Sequence, residues 1–192
     1  MNRTDIFNAV KLYSNRPTLP DPDLVLLTGV VEGELNRALR EHPRNLLTAE
    51  YSLVAGTSRL PLPADMMQLL VLRCPADTVW KEYTPNSGIV GTQTRGYVNR
   101  GVALELNLPV SEPATFIIDY FASLCPLLLP TDTNWVARFF ADVYVYGLLK
   151  ELAVYLKDDD RLALWAAAFG ERLMSLQAQG WGQNIAATPS MQ

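Results

Sequence analysis

Leu47-Thr48-Ala49-Glu50-Tyr51-Ser52-Leu53 alternates apolar and polar residues one for one. Successive side chains of a strand point to opposite faces, so this stretch reads as a half-buried strand with Leu47, Ala49, Tyr51 and Leu53 turned inward. On either side of it the period is different. Before residue 43 and after residue 130 the apolar residues return every three or four positions. A block of period two set between blocks of period 3.6 predicts an α+β chain. N- and C-terminal helices form a bundle, and a small, mostly antiparallel sheet is inserted over about residues 47–121.

Further strands follow inside the block. Gly56-Thr57-Ser58 turns the chain into Arg59-Leu60-Pro61-Leu62, and Gln68-Leu69-Leu70-Val71-Leu72-Arg73 reads as a strand shielded on both faces. Val98 and residues 102–106 flank a turn at Arg100-Gly101, residues 115–121 make a last strand, and a Gly-rich loop lies near 87–94.

Upstream, residues 4–15 form a helix capped by Thr4, with Asp5 in its first turn and Ile6, Val10 and Tyr13 on one face. Prolines at 17 and 20 break it. Asp21-Pro22-Asp23 then reads as a cap, a proline at the first helical position and an acid in the first turn. That helix, 21–42, carries a stripe of Leu24, Leu27, Val31, Leu35, Ala38 and Leu39 and stops before Pro43. Glu34, Arg37 and Glu41 form its solvated side. Downstream, 142–157 is apolar nearly all round, with a thin polar edge at Lys150 and Glu151. It therefore needs cover, inside a bundle or from a neighbouring subunit. Asp158-Asp159-Asp160 ends it and caps a helix over 161–178, whose buried stripe is Leu162, Trp165, Phe169, Leu173 and Leu176. Residues 1–179 read as one domain and 180–192, short of branched apolar residues, as an extended C-terminal arm.

Composition narrows the functional classes. The 192 residues are 49% apolar, enough for a packed core. Sixteen basic against twenty acidic residues, net −4, do not suggest the basic surface a DNA reader needs. One histidine, His42, and two distant cysteines, Cys74 and Cys125, exclude Cys/His zinc clusters. No run approaches the ~20 apolar residues of a membrane span, and the N-terminus lacks a signal-peptide pattern. A soluble protein of a reducing cytosol is expected, without cofactor.

Candidate chemistry is sparse. The aspartates 158–160 lack the spaced oxygens and distal Glu of a Ca²⁺ loop and suit a helix start instead. Glu32 and Glu34, two apart on a helix, do not share a face; Glu50 and Glu82 lie in or near strands. His42 sits where a helix ends, complementing its last carbonyls, and no Gly-x-Ser-x-Gly elbow accompanies it. Gly88-Ile89-Val90-Gly91 lacks the Gly-Lys-Ser/Thr ending of a phosphate loop. No residue is named as catalytic or metal-binding. Trp181, between Gly180 and Gly182, either folds back on the last helix or anchors an interface.

Spaced pieces of the last 110 residues resemble one known group. They are Tyr83-Thr84-Pro85, Gly96-Tyr97, Tyr120-Phe121, Asn134-Trp135, Asp142-x-Tyr144-x-Tyr146-Gly147 and Asp158-Asp159-x-Arg161, with Trp165 four residues on. In order and spacing the chain is similar to the head–tail adaptor (connector, head-completion) proteins of tailed bacteriophages; Ala141 stands where their pattern tends to have proline. The resemblance implies a structural virion protein with no enzymatic duty. It implies a ring, of twelve subunits, in the neck between capsid and tail, assembled in the host bacterial cytoplasm. The partners implied are further copies of the chain, the portal protein above, a tail or nozzle protein below, and genomic DNA passing without sequence-specific binding; no membrane is involved. It makes Asn134, Trp135, Asp142, Tyr144, Tyr146, Asp158, Asp159, Arg161 and Trp165 the structural core of the motif. A C-terminal arm would grip the portal through Trp181, Gln183, Asn184 and Ile185. Two other classes remain open: a virion-associated cell-wall hydrolase using a carboxylate pair, and a cytosolic helical regulator binding DNA or a ligand.

Overall fold

The computed structural model describes residues 1–74, 79–82, 96–107 and 109–182, with 79–82 and 180–182 as backbone only. The predicted α+β class holds. The chain divides into two compact units: residues 1–45 with 124–192, which are helical, and residues 46–123, which contain the strands.

In the helical unit α1 spans Arg3–Ser14, α2 Asp21–Ala38, α3 Trp135–Phe139, α4 Ala141–Leu156 and α5 Asp159–Gly182. The cap of α1 is Asn2, not Thr4. Asn2 Oδ1 accepts from Asp5 N and the Asp5 carboxylate accepts from Asn2 N, a reciprocal capping box. The Thr4 hydroxyl donates instead to Pro130 O at 2.9 Å. Asp21 is likewise no cap; it is the first residue of α2, after Pro20, and pairs with Lys11 at 2.6 Å.

Helix α2 ends at Ala38, four residues before the predicted stop. Continued helix would need residue 43 to donate to Leu39 O, and Pro43 has no N–H. His42 N and Asn45 Nδ2 take that carbonyl at 3.0 and 2.7 Å, winding 43–45 into a 3₁₀ turn. Between α4 and α5 the chain reverses through Lys157 in the left-handed region, φ 55°. Arg161 N and Leu162 N donate to Asp158 O, while Asp159 and Asp160 stand in the first turn of α5. The three aspartates therefore work as a helix start. Short α3, which periodicity does not reveal, is capped by Asn134 Oδ1 on Ala137 N at 2.9 Å.

The apolar stripe of α2 packs around α4 with Leu27 and Ala38 half-buried, whereas the predicted stripe of α5 is buried at Phe169 and Leu176 only, with Leu162, Trp165 and Leu173 half-buried. The cover that α4 requires comes from its own chain. Val143, Tyr144, Val145, Gly147, Leu148, Leu149, Leu152 and Ala153 are all buried within the helical unit. Only at its last turn do Val154 and Tyr155 stand more than half exposed.

The other unit is a seven-stranded sheet: β1 Leu46–Leu53, β2 Arg59–Pro61, β3 Met66–Arg73, β4 Val79–Glu82, β5 Gly96–Asn99, β6 Ala103–Leu106 and β7 Ala114–Ala122. Its order is β1-β7-β3-β4-β5-β6-β2. All pairings are antiparallel except β4 with β5. Strand β4 has no counterpart in the sequence reading. Along β7, Phe116, Ile118, Tyr120 and Ala122 face a core shared with Leu72, Leu104 and Leu60. On its other face Asp119 accepts from Thr48 at 2.8 Å and pairs with Arg73. Strand β3 is less shielded than expected. Two register shifts break its pairing with β7, and Leu70 is 42% exposed. Gly101, at φ 85°, makes the predicted turn between β5 and β6. The Gly-rich loop near 87–94 lies outside the described residues.

Gly147 marks the tightest approach in the bundle. A Cβ there would meet Val31 Cγ1 at 2.8 Å and Phe169 Cε2 at 3.0 Å, so α2 and α5 both close on α4 at this point. Gly147→Ala should therefore lower stability by about 1–3 kcal/mol through overpacking. Gly29→Ala, with nothing within 4 Å, should raise it by up to ~1 kcal/mol through helix propensity. Urea unfolding of both variants checks this; equal effects would mean the approach at Gly147 is looser than described.

Candidate functional site

The motif residues of the helical unit form three joints rather than one cleft. The first is buried and polar. Asn134, besides capping α3, donates from Nδ2 to Tyr144 OH at 2.7 Å and to Cys125 O at 2.9 Å. Tyr144, fully buried on α4, lies 3.4 Å from Glu32 Oε1 on α2. The same Glu32 oxygen accepts from Leu127 N at 2.8 Å. Burial pushes the Glu32 carboxyl upward from its ordinary range, against the lowering effect of the Leu127 and Tyr144 hydrogen bonds. Burial, then the nearby Glu32 charge, raise the Tyr144 hydroxyl, which stays protonated.

The second joint centres on Trp135. Its indole N–H donates to Asn45 Oδ1 at 2.8 Å, and its ring stacks on His42 with centroids 4.7 Å apart. The Arg44 guanidinium lies over the rings of Trp135, Phe139 and Phe140 at 5.0–5.7 Å. His42 is thus not a charged complement to a helix end. It follows the helix by several residues, and burial together with the Arg44 charge lowers its pKa and favours the neutral ring.

The third joint fastens α5 to α4. Tyr146 and Trp165 stack at 6.0 Å, Asp142 pairs with Arg172 at 3.3 Å, and Asp158 meets Arg161 at 3.8 Å. Lys150 bridges Glu34 and Glu151 at 2.6 and 2.9 Å with its ammonium over Phe169. Burial alone would lower its pKa, but those carboxylates raise it. Glu34 is accordingly a bundle contact and not part of a solvated face.

The other predicted positions are distributed elsewhere. Gly96 N donates to Asn107 Oδ1, and Tyr97 and Tyr120 are buried in the sheet unit. Tyr83-Thr84-Pro85 and Gln183, Asn184 and Ile185 lie outside the described residues. Helix α5 runs through Gly180 and Trp181 to Gly182, so an arm would begin later than residue 180.

Glu32 and Glu34 do not form a carboxylate pair. Glu32 faces Leu127 and Tyr144 while Glu34 faces Lys150. Glu50 is on β1 and Glu82 on β4, three strand spacings apart in the sheet order. That is ~14 Å between the two strand backbones at the usual interstrand distance.

What these joints secure is a scaffold. The chain matches the family model for the SU10 adaptor protein over residues 1–189. It belongs to that family. No curated protein matches it. The adaptor is a structural phage protein, in keeping with motif residues spent on caps, stacks and ion pairs. No helix among the adaptor's described residues is long and apolar enough to cross a membrane. Sequence reasoning missed two contributors, Glu32 as a buried acceptor and the Arg44–Phe139 cluster. The one available signal for Glu32 was its i+1 position beside Val31 in the stripe.

Glu32 gives the adaptor a testable pH signature. Its folded-state pKa is raised, so its protonated form stabilises the fold, and that contribution is full below the ordinary carboxylate pKa. It is lost as pH rises through the raised value and is constant above it. Stability of the wild type relative to Glu32→Gln should fall across that window and then level off, read by urea midpoints from pH 4 upward. Glu32→Ala should cost about 1–3 kcal/mol throughout, because Leu127 N–H loses its acceptor.

Proposed function

We propose that the adaptor forms a ring of twelve subunits beneath the portal, joins capsid to tail in the virion neck and continues the channel through which DNA passes. The observation that carries this reading is membership of the adaptor family over residues 1–189. Two features support it. The bundle satisfies its apolar helix internally, which leaves the chain free to act as a passive building block. Helix α5 also extends well past the predicted stop: Gln177 Nε2 is fixed on Ala38 O at 2.8 Å, and the helix continues to Gly182.

Under this proposal Trp181, Gln183, Asn184 and Ile185 contact the portal, with Trp181 as anchor. Tryptophan dominates interface energetics where it is enclosed on binding, at about 2 kcal/mol or more per residue. The proposal needs no chemical step, only a contact between the C-terminal residues and the portal surface.

Native mass spectrometry of the adaptor with the portal of the same phage tests the reading. One adaptor per portal subunit is the expected outcome. Trp181→Ala should weaken attachment on the order of 30-fold. Deleting residues 183–192 should reduce it at least as much, with the thermal melt unchanged in both. An adaptor that ignores the portal would overturn the proposal.

A further inference from the structure

Two exposed patches on the helical unit carry apolar centres and opposite charge. The first surrounds Phe139, which is 58% exposed. Arg44 lies 5.0 Å above its ring and Arg138 5.4 Å. Among the described residues neither arginine is within ion-pair distance of a carboxylate. Both are exposed. The patch is also stiff, since Trp135 beneath Arg44 is held by Asn45 and His42. Aromatic and arginine side chains fixed before contact are the composition and preorganisation of an interface hot spot.

The second patch is the corner between α4 and α5. Val154 and Tyr155 are 55% and 58% exposed there. Asp159 and Asp160 follow, exposed and without a basic partner among the described residues. As the first turn of a helix, they are held in place by the fold itself.

The patches cannot neutralise each other within one chain. Arg138 and Phe139 precede α4 and Asp159 follows it, so sixteen helical residues, ~24 Å, separate them. We propose that the Arg44–Arg138–Phe139 patch of one adaptor docks on the Tyr155–Asp159–Asp160 corner of a second copy, as the subunit-to-subunit contact of the ring. The argument is the complementarity: an apolar centre rimmed by two exposed arginines on one side, an apolar centre rimmed by two exposed aspartates on the other. Because the two surfaces differ, the contact is heterologous, and such contacts close into rings when the rotation permits. This inference rests on the ring reading above and names the surfaces it would use.

Charge reversal tests it. Full-length Asp159→Arg/Asp160→Arg and Arg44→Glu/Arg138→Glu variants would be compared with wild type by sedimentation and native mass spectrometry, alone and with the portal. Each variant alone should associate at least tenfold more weakly. An equimolar mixture should recover assembly, since every contact then again joins opposite charges. That recovery also shows that both variants are folded. Wild-type association should weaken with added salt, as expected for charges at a solvent-exposed rim. Variants that assemble like wild type would overturn this contact while leaving the ring intact. Folded variants whose mixture fails to recover would do the same. A wild-type chain that stays monomeric with and without the portal would overturn the ring as well.

Discussion

A carboxyl group buried between helices is the constraint on which the helical unit turns. The chain leaves this unit after Asn45, builds a complete sheet and re-enters at Leu124. The re-entering segment, 124–134, has no regular structure of its own, yet Leu124 and Leu127 are buried. Buried backbone N–H groups need acceptors, and α2 supplies them as side chains: Asn36 for Leu124 and Glu32 for Leu127. Asn134 then ties the segment to α4 through Tyr144 and to itself through Cys125 O. Arg3 and Thr4 of α1 take the carbonyls of Leu128 and Pro130. A bundle whose helices were joined by short loops would need none of this. Desolvating Glu32 is the cost of inserting a folded sheet between the second and third helices, and the protonated form is the one the site favours.

How much of this the sequence disclosed follows from which forces are local. The stripe of α2, the alternation of β1 from Ala49 onward (Leu47 is exposed) and of β7, and the Arg100-Gly101 turn depend on residues within one element, and periodicity finds them. Where the chain differs from that reading, a distant group decides. Thr4 has the right chemistry for a cap, but Pro130 O claims its hydroxyl and Asn2 caps instead. Helix α2 has residues fit to continue past Ala38, but the N–H that Pro43 lacks hands Leu39 O to Asn45. Strand β3 is interior to the sheet, yet its register shifts leave Leu70 outward, and no local pattern encodes a bulge.

The candidate site was legible to a different degree. The motif residues were picked out by order and spacing, and within the helical unit Asn134, Trp135, Asp142, Tyr144, Tyr146 and Trp165 take part in caps, stacks and ion pairs. The tasks themselves, such as the stacking of Trp135 on His42 across about 90 positions of sequence, depend on tertiary placement. Glu32 was the least legible. A glutamate among leucines on an amphipathic helix looks like the edge of the polar face, and only the return of the chain at Leu127 turns it into a core acceptor.

The burial of α4 bears on how an adaptor of this kind could assemble. An apolar helix left open would make the subunit depend on its neighbours to fold and would drive association before any template is present. Here α1, α2, α3 and α5 consume that surface inside one chain, and only Val154 and Tyr155 at its last turn remain open. Large exposed apolar patches drive association regardless of context, whereas small ones rimmed by charge give orientation and a reversible, salt-sensitive contact. A ring that must close in one register, on a partner of fixed symmetry, is better served by the second kind. Under the ring proposal, subunits that bind each other weakly can be sorted and rejoined until the template holds them all, and effective concentration on the portal would supply the affinity that a single contact lacks.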